Sequence, residues 1–444
     1  MCFDTTTDRR AFLRLSSLGL ATVMLSSFDV TGVALAAPGQ RPKTLVKVFM
    51  RGGADGLFLF PPYADMNYYV HRRTVRISAP NGNDATSAIP LTSTHGLHPQ
   101  LRALREIWDS GRLAIAPATH FSEGNLSHFD CQAWIERGTT ARVLDGVFNR
   151  YLQNVPGSHE LRALIAGMST PAESMMGKVL VPSVLRSGEF GVESQLFCDS
   201  KGWDSKSRTC VGENLLNKTL ATLNGAPRTG AEETTRQAQN TIAKVMDQVN
   251  RVGKGYTPNA GGLTYSTGPL GRGLELVAQL LKNNVPVEIA AVDWGNAWDS
   301  HENHMFPTTS PIDETGRYAR DLRVGAEDLL CFFRDLGPLM NDVLVVVGTE
   351  FGREVIQNGT FGTDHGRGGP WFAFGGPTKG GIYGAAPSLA VDRLDRGRYV
   401  PSVVNYKDII GEAMQRHMGV KSSMLSTLYP GHTFTDHKIF TRAA

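Results

Sequence analysis

Residues 342–353 read Asp342-Val343-Leu344-Val345-Val346-Val347-Gly348-Thr349-Glu350-Phe351-Gly352-Arg353. The run from Val343 to Gly348 has no polar side chain. An unbroken apolar run of this length is a strand buried on both faces, whereas a half-exposed strand alternates. A helical pattern over 314–336 leads into it. The same order recurs elsewhere: a helix over 270–283 leads into an apolar strand at 286–292, and a helix over 99–109 into a strand at 112–116. The sequence also predicts strands at 44–50, 161–166 and 371–374, and helices at 127–137, 145–154 and 407–417. Helix and buried strand in alternation imply an α/β sandwich around a mostly parallel sheet. Residues 167–268 hold few strand patterns and a polar helical stretch at 232–252, and are expected to form a loop-rich cap or insertion.

Three apolar strands end alike. The first runs into Arg51-Gly52-Gly53-Ala54-Asp55-Gly56. The second runs into Asp293-Trp294-Gly295-Asn296-Ala297-Trp298-Asp299-Ser300-His301, and the third into Thr349-Glu350-Phe351. In a parallel sheet, residues just past the strand C-termini share one rim, where ligands bind. Asp55, Asp299, His301 and Glu350 are therefore expected to converge. The segment Thr363-Asp364-His365-Gly366 offers a further carboxylate and, in His365, a further imidazole. Clustered carboxylates stay ionised together only if cations neutralise them. The expectation is a divalent metal held by Asp55, Asp299, His301, Glu350 and His365. Mixed nitrogen and oxygen donors suit zinc, manganese or iron, and magnesium or calcium if oxygens dominate.

Ser127-His128-Phe129-Asp130 opens a helix. Ser127 followed three residues later by an acid is a capping box. A hydroxyl at a helix N-terminus beside a metal is also placed to attack phosphorus or sulfur. Both readings of Ser127 stand, and His128 is either a ligand or the group that positions Ser127. Arg51, Arg353 and Arg367 are candidates for holding an anionic group. His95 and His98 are expected to serve the loop that carries them.

The chain begins with a third kind of signal. Arg9-Arg10 precede Ala11-Phe12-Leu13, a mild apolar stretch to Leu35, and the small-x-small site Ala34-Leu35-Ala36. These are the parts of a secretory signal, and the paired arginines mark its twin-arginine form. Residues 1–36 are thus expected to direct export by the twin-arginine machinery of a bacterium, and residues 37–444 to be periplasmic or secreted. Lys and Arg number 45 against 42 Asp and Glu, a net charge of +3, too small to argue for nucleic acid or an anionic membrane. No second long apolar run suggests stable membrane insertion. Cys198 and Cys210 bracket a polar segment that a disulfide could close in an oxidising compartment, while Cys131 and Cys331 lie in apolar helical patterns as buried thiols.

Taken in order, several segments resemble the bacterial secreted family known as domain of unknown function 1501. They are Arg9-Arg10-Ala11-Phe12-Leu13, Phe49-Met50-Arg51-Gly52-Gly53-Ala54-Asp55-Gly56-Leu57, Gly96-Leu97-His98-Pro99 and Ser127-His128-Phe129. The series continues with Trp298-Asp299-Ser300-His301, Thr349-Glu350-Phe351-Gly352-Arg353 and Thr363-Asp364-His365-Gly366. That family is similar to the alkaline phosphatase and sulfatase superfamily. The resemblance implies a three-layer α/β/α sandwich with one or two metals beside a nucleophile on the sheet rim. It implies Asp55 as the first metal-binding carboxylate, Asp299 and His301 as a later Asp and His, and His365 as the last His. Glu350 stands where an Asp is usual. Ser127 or His128 falls where the nucleophile-bearing helix begins, although the superfamily's Asp-Ser and Cys-x-Pro-x-Arg patterns are missing. The implied activity is hydrolysis of phosphate or sulfate esters on an anionic small molecule or glycan. The alternative is an inactive periplasmic binding or assembly protein that retains the fold.

Overall fold

The computed structural model describes residues 42–441 apart from 83–84, 121–122, 158, 160, 169–170, 188–202, 205–208, 211–248, 250–251, 253–255, 296–297, 306–309, 311–317 and 387. The expected signal peptide, the helix at 232–252, the Cys198–Cys210 pairing and most of the 167–268 insertion lie outside the described residues.

Among the described residues, nine strands form the main sheet. In chain order they are β1 (Thr44–Phe49), β2 (Leu113–His120), β3 (Ala163–Ala166), β4 (Ser183–Val184), β5 (Ile289–Asp293), β6 (Val343–Gly348), β7 (Gly369–Gly375), β8 (Gly381–Ile382) and β9 (Val404–Asn405). Their spatial order is β8-β2-β7-β6-β1-β5-β3-β4, with β9 paired to β2. β1 lies between β6 and β5 and is parallel to both. The three strands whose ends carry the acidic motifs are thus neighbours at the centre. Among the described strands only β7 runs the other way, antiparallel to both β6 and β2. The expected mostly parallel sheet is what forms.

The packed helices are α1 (Leu104–Asp109), α2 (His128–Arg137), α3 (Val147–Asn154), α4 (Pro269–Lys282), α5 (Ala319–Leu336), α6 (Tyr406–Arg416) and α7 (Ser422–Leu428). The pleat of β1 divides them. Val46 and Val48 face one core, shared with Leu104 of α1, Leu274 and Val277 of α4, and Leu322 and Leu329 of α5. Leu45 and Phe49 face the other, shared with Ile135 of α2, Phe148 of α3, Ile409 of α6 and Leu425 of α7. Successive strand side chains point to opposite faces, so an all-apolar strand needs helices on both. The result is a three-layer α/β/α sandwich. Each fully buried Val or Leu contributes about 1.5–3 kcal/mol relative to exposure, which makes the central strands its most heavily stabilised part. Cys131 and Cys331 are free and buried in it, as expected. No helix among the described residues is long and apolar enough to cross a membrane.

The predicted helix over 99–109 is a 3-10 turn, Pro99–Leu101, followed by α1. His98 caps that turn, its Nδ1 accepting from the Gln100 amide at 3.1 Å, which is the loop role expected of it.

Candidate metal centre

The loops that leave the central strands are tied by one buried side chain. Arg353 donates to the carbonyls of Gly53 (2.6 Å), Trp298 (2.8 Å) and Thr363 (3.2 Å), and to Asp299 Oδ1 (3.0 Å). A single guanidinium thus joins the loops after β1, β5 and β6. Gly52 allows them to close. Its φ of +121° is open to glycine, and a Cβ there would lie 2.5 Å from the Asp299 amide nitrogen.

Four ligating atoms meet where these loops face the start of α2. Asp299 Oδ1 lies 3.3 Å from His128 Nε2, 3.0 Å from His301 Nε2 and 3.2 Å from His365 Nε2. His365 Nε2 lies 3.0 Å from both His128 Nε2 and His301 Nε2. Two donors held by one zinc at 2.0–2.1 Å in tetrahedral geometry stand about 3.3 Å apart. His128, Asp299 and His365 form the tightest group, and His301 adjoins two of its three members.

The far side of each ring decides what these atoms can do. His128 Nδ1 faces Glu350 Oε1 at 2.7 Å, and His301 Nδ1 faces Asp364 Oδ1 at 2.9 Å. His365 Nδ1 faces the Leu126 carbonyl at 3.0 Å. All three partners only accept, so each Nδ1 carries the proton. In the neutral imidazole each Nε2 is then a bare lone pair. Three lone pairs and a carboxylate oxygen at hydrogen-bond distance, with no proton between them, repel unless a cation takes the centre. Carboxylates and carbonyls behind metal-binding histidines are the usual device for setting that tautomer.

The charges agree. Asp299, Glu350 and Asp364 bring three negative charges to the centre and Arg353 one positive. With neutral imidazoles, two negative charges remain, the complement of one divalent ion. Behind them, Lys47, Arg51, Glu136 and Asp293 balance among themselves. Burial works against ionisation of Asp299, but the Arg353 guanidinium, through its hydrogen bond and its charge, holds the carboxyl well below the usual range. Glu350 is held low against its own burial by His128 and Gln132. Burial opposes charge on His128, yet Glu350 and Asp299 prevail and raise its pKa, while burial lowers that of His365. Without a cation the centre therefore favours a proton on His128, and a metal competes for the same lone pair.

The sequence expectations divide here. Asp299, His301 and His365 come together as predicted, and His128 joins them as a ligand-type imidazole. Glu350 is at the centre but one step back. Its Oε1 accepts from His128, Gln132 Nε2 (2.7 Å) and the Gly52 amide (2.8 Å), and its Oε2 from Thr349 Oγ1 (3.0 Å), so it orients a ligand instead of being one. Asp55 is not brought to the cluster. It is buried, accepts from the Leu57 and Phe58 amides as a helix cap, and pairs with Arg72 Nη1 at 2.7 Å. Arg51, expected to hold an anionic group, directs one donor each at Asp293, Gln132 and Glu136, behind the cluster. Ser127 caps α2, its Oγ 3.4 Å from the Asp130 amide. Arg367 pairs with Asp395. The sequence reading misses three residues, Gln132 at the centre and Arg72 and His304 around Asp55, and gives Asp364, the further carboxylate of its segment, no role of its own. The spacing of His128, Gln132 and Glu136 at four-residue intervals on one helix face was the available signal for Gln132.

Residues 224–435 match the sequence model of the family described as protein of unknown function (DUF1501). This is the family that the motifs resemble, and the matched stretch includes Asp299, His301, Glu350 and His365. No curated protein matches the chain. Similar solved structures include the integral membrane lipooligosaccharide phosphoethanolamine transferase A of Neisseria meningitidis. It is 8% identical with a TM-score of 0.33, and the match covers 84% of this chain and 53% of that one. The chain thus spans about half the length of that protein. The zinc complex of the C-terminal periplasmic domain of EcEptC from Escherichia coli is 11% identical with a TM-score of 0.32, covering 78% of this chain and 77% of the other. An alkaline phosphatase from the Antarctic bacterium TAB5 is 11% identical with a TM-score of 0.31, covering 78% of this chain and 95% of that one.

Proposed function

We propose that the protein is an exported metal-dependent hydrolase of phosphate or sulfate esters, with its metal held by Asp299, His128, His365 and His301. The observation that carries this reading is the set of Nε2 lone pairs and one carboxylate oxygen that converge with two negative charges uncompensated. The nitrogen-rich donors favour zinc or another transition metal over magnesium or calcium, which take oxygen ligands. Bound there, the ion would supply Lewis-acid polarisation of an anionic ester. The chain's own residues do the rest. Asp299 and His301, with side chains 43% and 45% exposed, open the centre to solvent and substrate. Glu350, Asp364 and the Leu126 carbonyl fix the rings. The N-terminus of α2 favours negative charge beside the centre. Ser127, half-buried and next to His128, offers a hydroxyl there in addition to its capping role.

Export by the twin-arginine machinery through residues 1–36 belongs to the same proposal, since that route carries proteins that fold around a metal beforehand. Elemental analysis of the purified chain, with a screen of phosphomonoesters, phosphodiesters and sulfate esters against added zinc, manganese and magnesium, tests the reading. Stoichiometric metal and turnover of one ester class are expected. Neither metal nor turnover would sink it. Metal without turnover would leave a metal-holding binding protein. Comparing Ser127→Ala with the unaltered chain separates Ser127 from water as the attacking oxygen, since only the former loses turnover.

A further inference from the structure

His128, Gln132 and Glu136 fall on one face of α2, each four residues from the last. That face is turned to the end of β1 and carries a polar seam through otherwise apolar packing. At its deep end Glu136, 3% exposed, accepts from Lys47 Nζ (3.4 Å), Arg51 Nη2 (3.3 Å), Ser174 Oγ (3.4 Å) and the Glu173 amide (3.1 Å). Arg51 also donates to Asp293 Oδ2 (2.7 Å) and to Gln132 Oε1 (3.2 Å). The second contact fixes which way the Gln132 amide points, because the guanidinium has only donors. Gln132 Nε2 must then face Glu350 Oε1, at 2.7 Å, and that same oxygen takes the Nδ1 proton of His128.

We infer that Arg51 and Gln132 are positioning residues that set the affinity of the metal centre through Glu350 and His128. This rests on the reading of the cluster as a metal centre. The physical case is one of cost and direction. Burying a balanced set of charges gives no more stability than apolar residues of the same volume, and often less. A seam of this kind is therefore poorly explained by stability alone. What it does provide is register. If α2 rotates or slides, the donors of Arg51 and Gln132 lose their acceptors together, so the helix is held where His128 Nε2 reaches Asp299 Oδ1. Arg51 fixes the direction of the Gln132 amide, and Gln132 Nε2 and the Gly52 amide then hold Glu350 Oε1 toward His128.

The test is zinc affinity, measured on the mature chain by competition with a chromophoric chelator, alongside the melting temperature of the zinc-free protein. Gln132→Leu removes the donor to Glu350 at similar volume. The zinc Kd is expected to rise by roughly 10–100-fold, the usual cost of losing an outer partner of a ligand, while the zinc-free melting temperature changes little. Arg51→Lys keeps the charge beside Asp293 and Glu136 but gives up the forked geometry, and is expected to weaken zinc by a smaller factor. Gln132→Met removes the same donor with an unbranched side chain of similar length, and is expected to weaken zinc to a similar extent. A Gln132→Leu protein whose zinc Kd stays within about twofold of the unaltered chain, where the outer-shell cost is tenfold or more, overturns the inference. If Gln132→Leu does not fold, Gln132→Met and Arg51→Lys decide on the same measure. An unaltered chain that takes up no zinc overturns the metal reading itself, whereas zinc binding indifferent to these variants overturns the seam alone.

Discussion

Two acid-and-imidazole groups occupy the loops after the central strands, and their charges are balanced in opposite ways. Around Asp55 the balance is internal. Arg72 supplies the positive charge at 2.7 Å, and His304 stands 3.8 Å away and fully buried. Around Asp299 the protein supplies one arginine against three carboxylates, and leaves imidazole lone pairs pointing at one another. The first group is a finished structural pair. The second, with its imidazoles neutral, keeps two negative charges, which a divalent ion would neutralise and a proton on His128 offsets in part. An acid after a strand is thus no evidence of a metal site until its counter-charge has been located.

The largest expected effect comes from treating the two acids alike. Asp55→Ala leaves Arg72 charged, buried and without its partner, which costs about 3–5 kcal/mol of folding stability. Denaturant unfolding should show this loss, and zinc uptake per folded molecule should not change. Asp299→Ala should do the reverse. It removes a ligand, so zinc affinity falls by more than the roughly 100-fold upper cost of an outer-shell loss, while the zinc-free protein, in which Arg353 keeps its carbonyl acceptors and loses only a half-exposed carboxylate, gives up less stability than Asp55→Ala does. If Asp55→Ala abolishes zinc uptake in folded protein, the contrast between the groups is broken.

A smaller effect follows from removing the metal. A ligand that binds only the folded state at a hundred times its Kd stabilises it by about 2.7 kcal/mol. Zinc should raise the melting temperature of the unaltered chain and of Asp55→Ala when that variant folds, and a chelator should reverse it. Asp299→Ala should show almost no shift. A zinc-induced shift that survives in Asp299→Ala would place the ion elsewhere.

Acid titration sharpens the comparison from the other side. Burial pushes His304 down to about 4, with Arg72 and Arg353 adding to it and Asp55 opposing. Its unfolded value is about 6.5. The folded state therefore resists the proton, and the stability this confers is present above pH 6.5 and lost as pH falls toward 4. Between pH 7.5 and 5 the loss is on the order of 2 kcal/mol. Denaturant unfolding of Asp299→Ala without zinc isolates it from metal release, and His304→Gln in that background should flatten the dependence. An unchanged slope would show that other groups carry the acid sensitivity.

Much of this was legible in the sequence because it follows from period and position. Apolar runs such as Val343–Gly348 specify buried strands, and parallel strands with shared ends specify a rim. Asp299 and His301 are legible because they follow such a strand closely, and His365 because its own segment, Thr363-Asp364-His365-Gly366, sets an acid and an imidazole side by side. The direction of β7 was not legible, since seven buried residues from Gly369 to Gly375 read the same in either sense. Nor was the fate of Asp55. Its partner Arg72 lies in His71-Arg72-Arg73, a run that reads as a charged surface, and only the tertiary packing buries it. Glu350 shows a finer limit: sequence places an acid beside the ligands, but whether its oxygen meets the ion or the imidazole behind it is settled by a few ångströms of packing. Asp364 stood in the same short segment as His365 and was passed over because its role is to face His301, from another loop.

The smallest expected effect separates charge from contact at the centre. Glu350 and Asp364 each accept an imidazole Nδ1 proton, at 2.7 and 2.9 Å, but the Glu350 carboxylate is fully buried and that of Asp364 is 51% exposed. Either amide replacement, Glu350→Gln or Asp364→Asn, keeps an oxygen that can accept the Nδ1 proton, so each mainly removes a charge. A buried charge acts through a low local dielectric, whereas an exposed one is screened by water and salt. Glu350→Gln should therefore weaken zinc by roughly 10–100-fold. Asp364→Asn should weaken it by less than about tenfold, under 1.4 kcal/mol, and the deficit should shrink further as salt is raised. Zinc Kd values at low and high ionic strength measure both. Equal, salt-independent losses would mean that the orientation of His301 by a carboxylate matters in itself, and that the charge count around Asp299 is not what draws the ion.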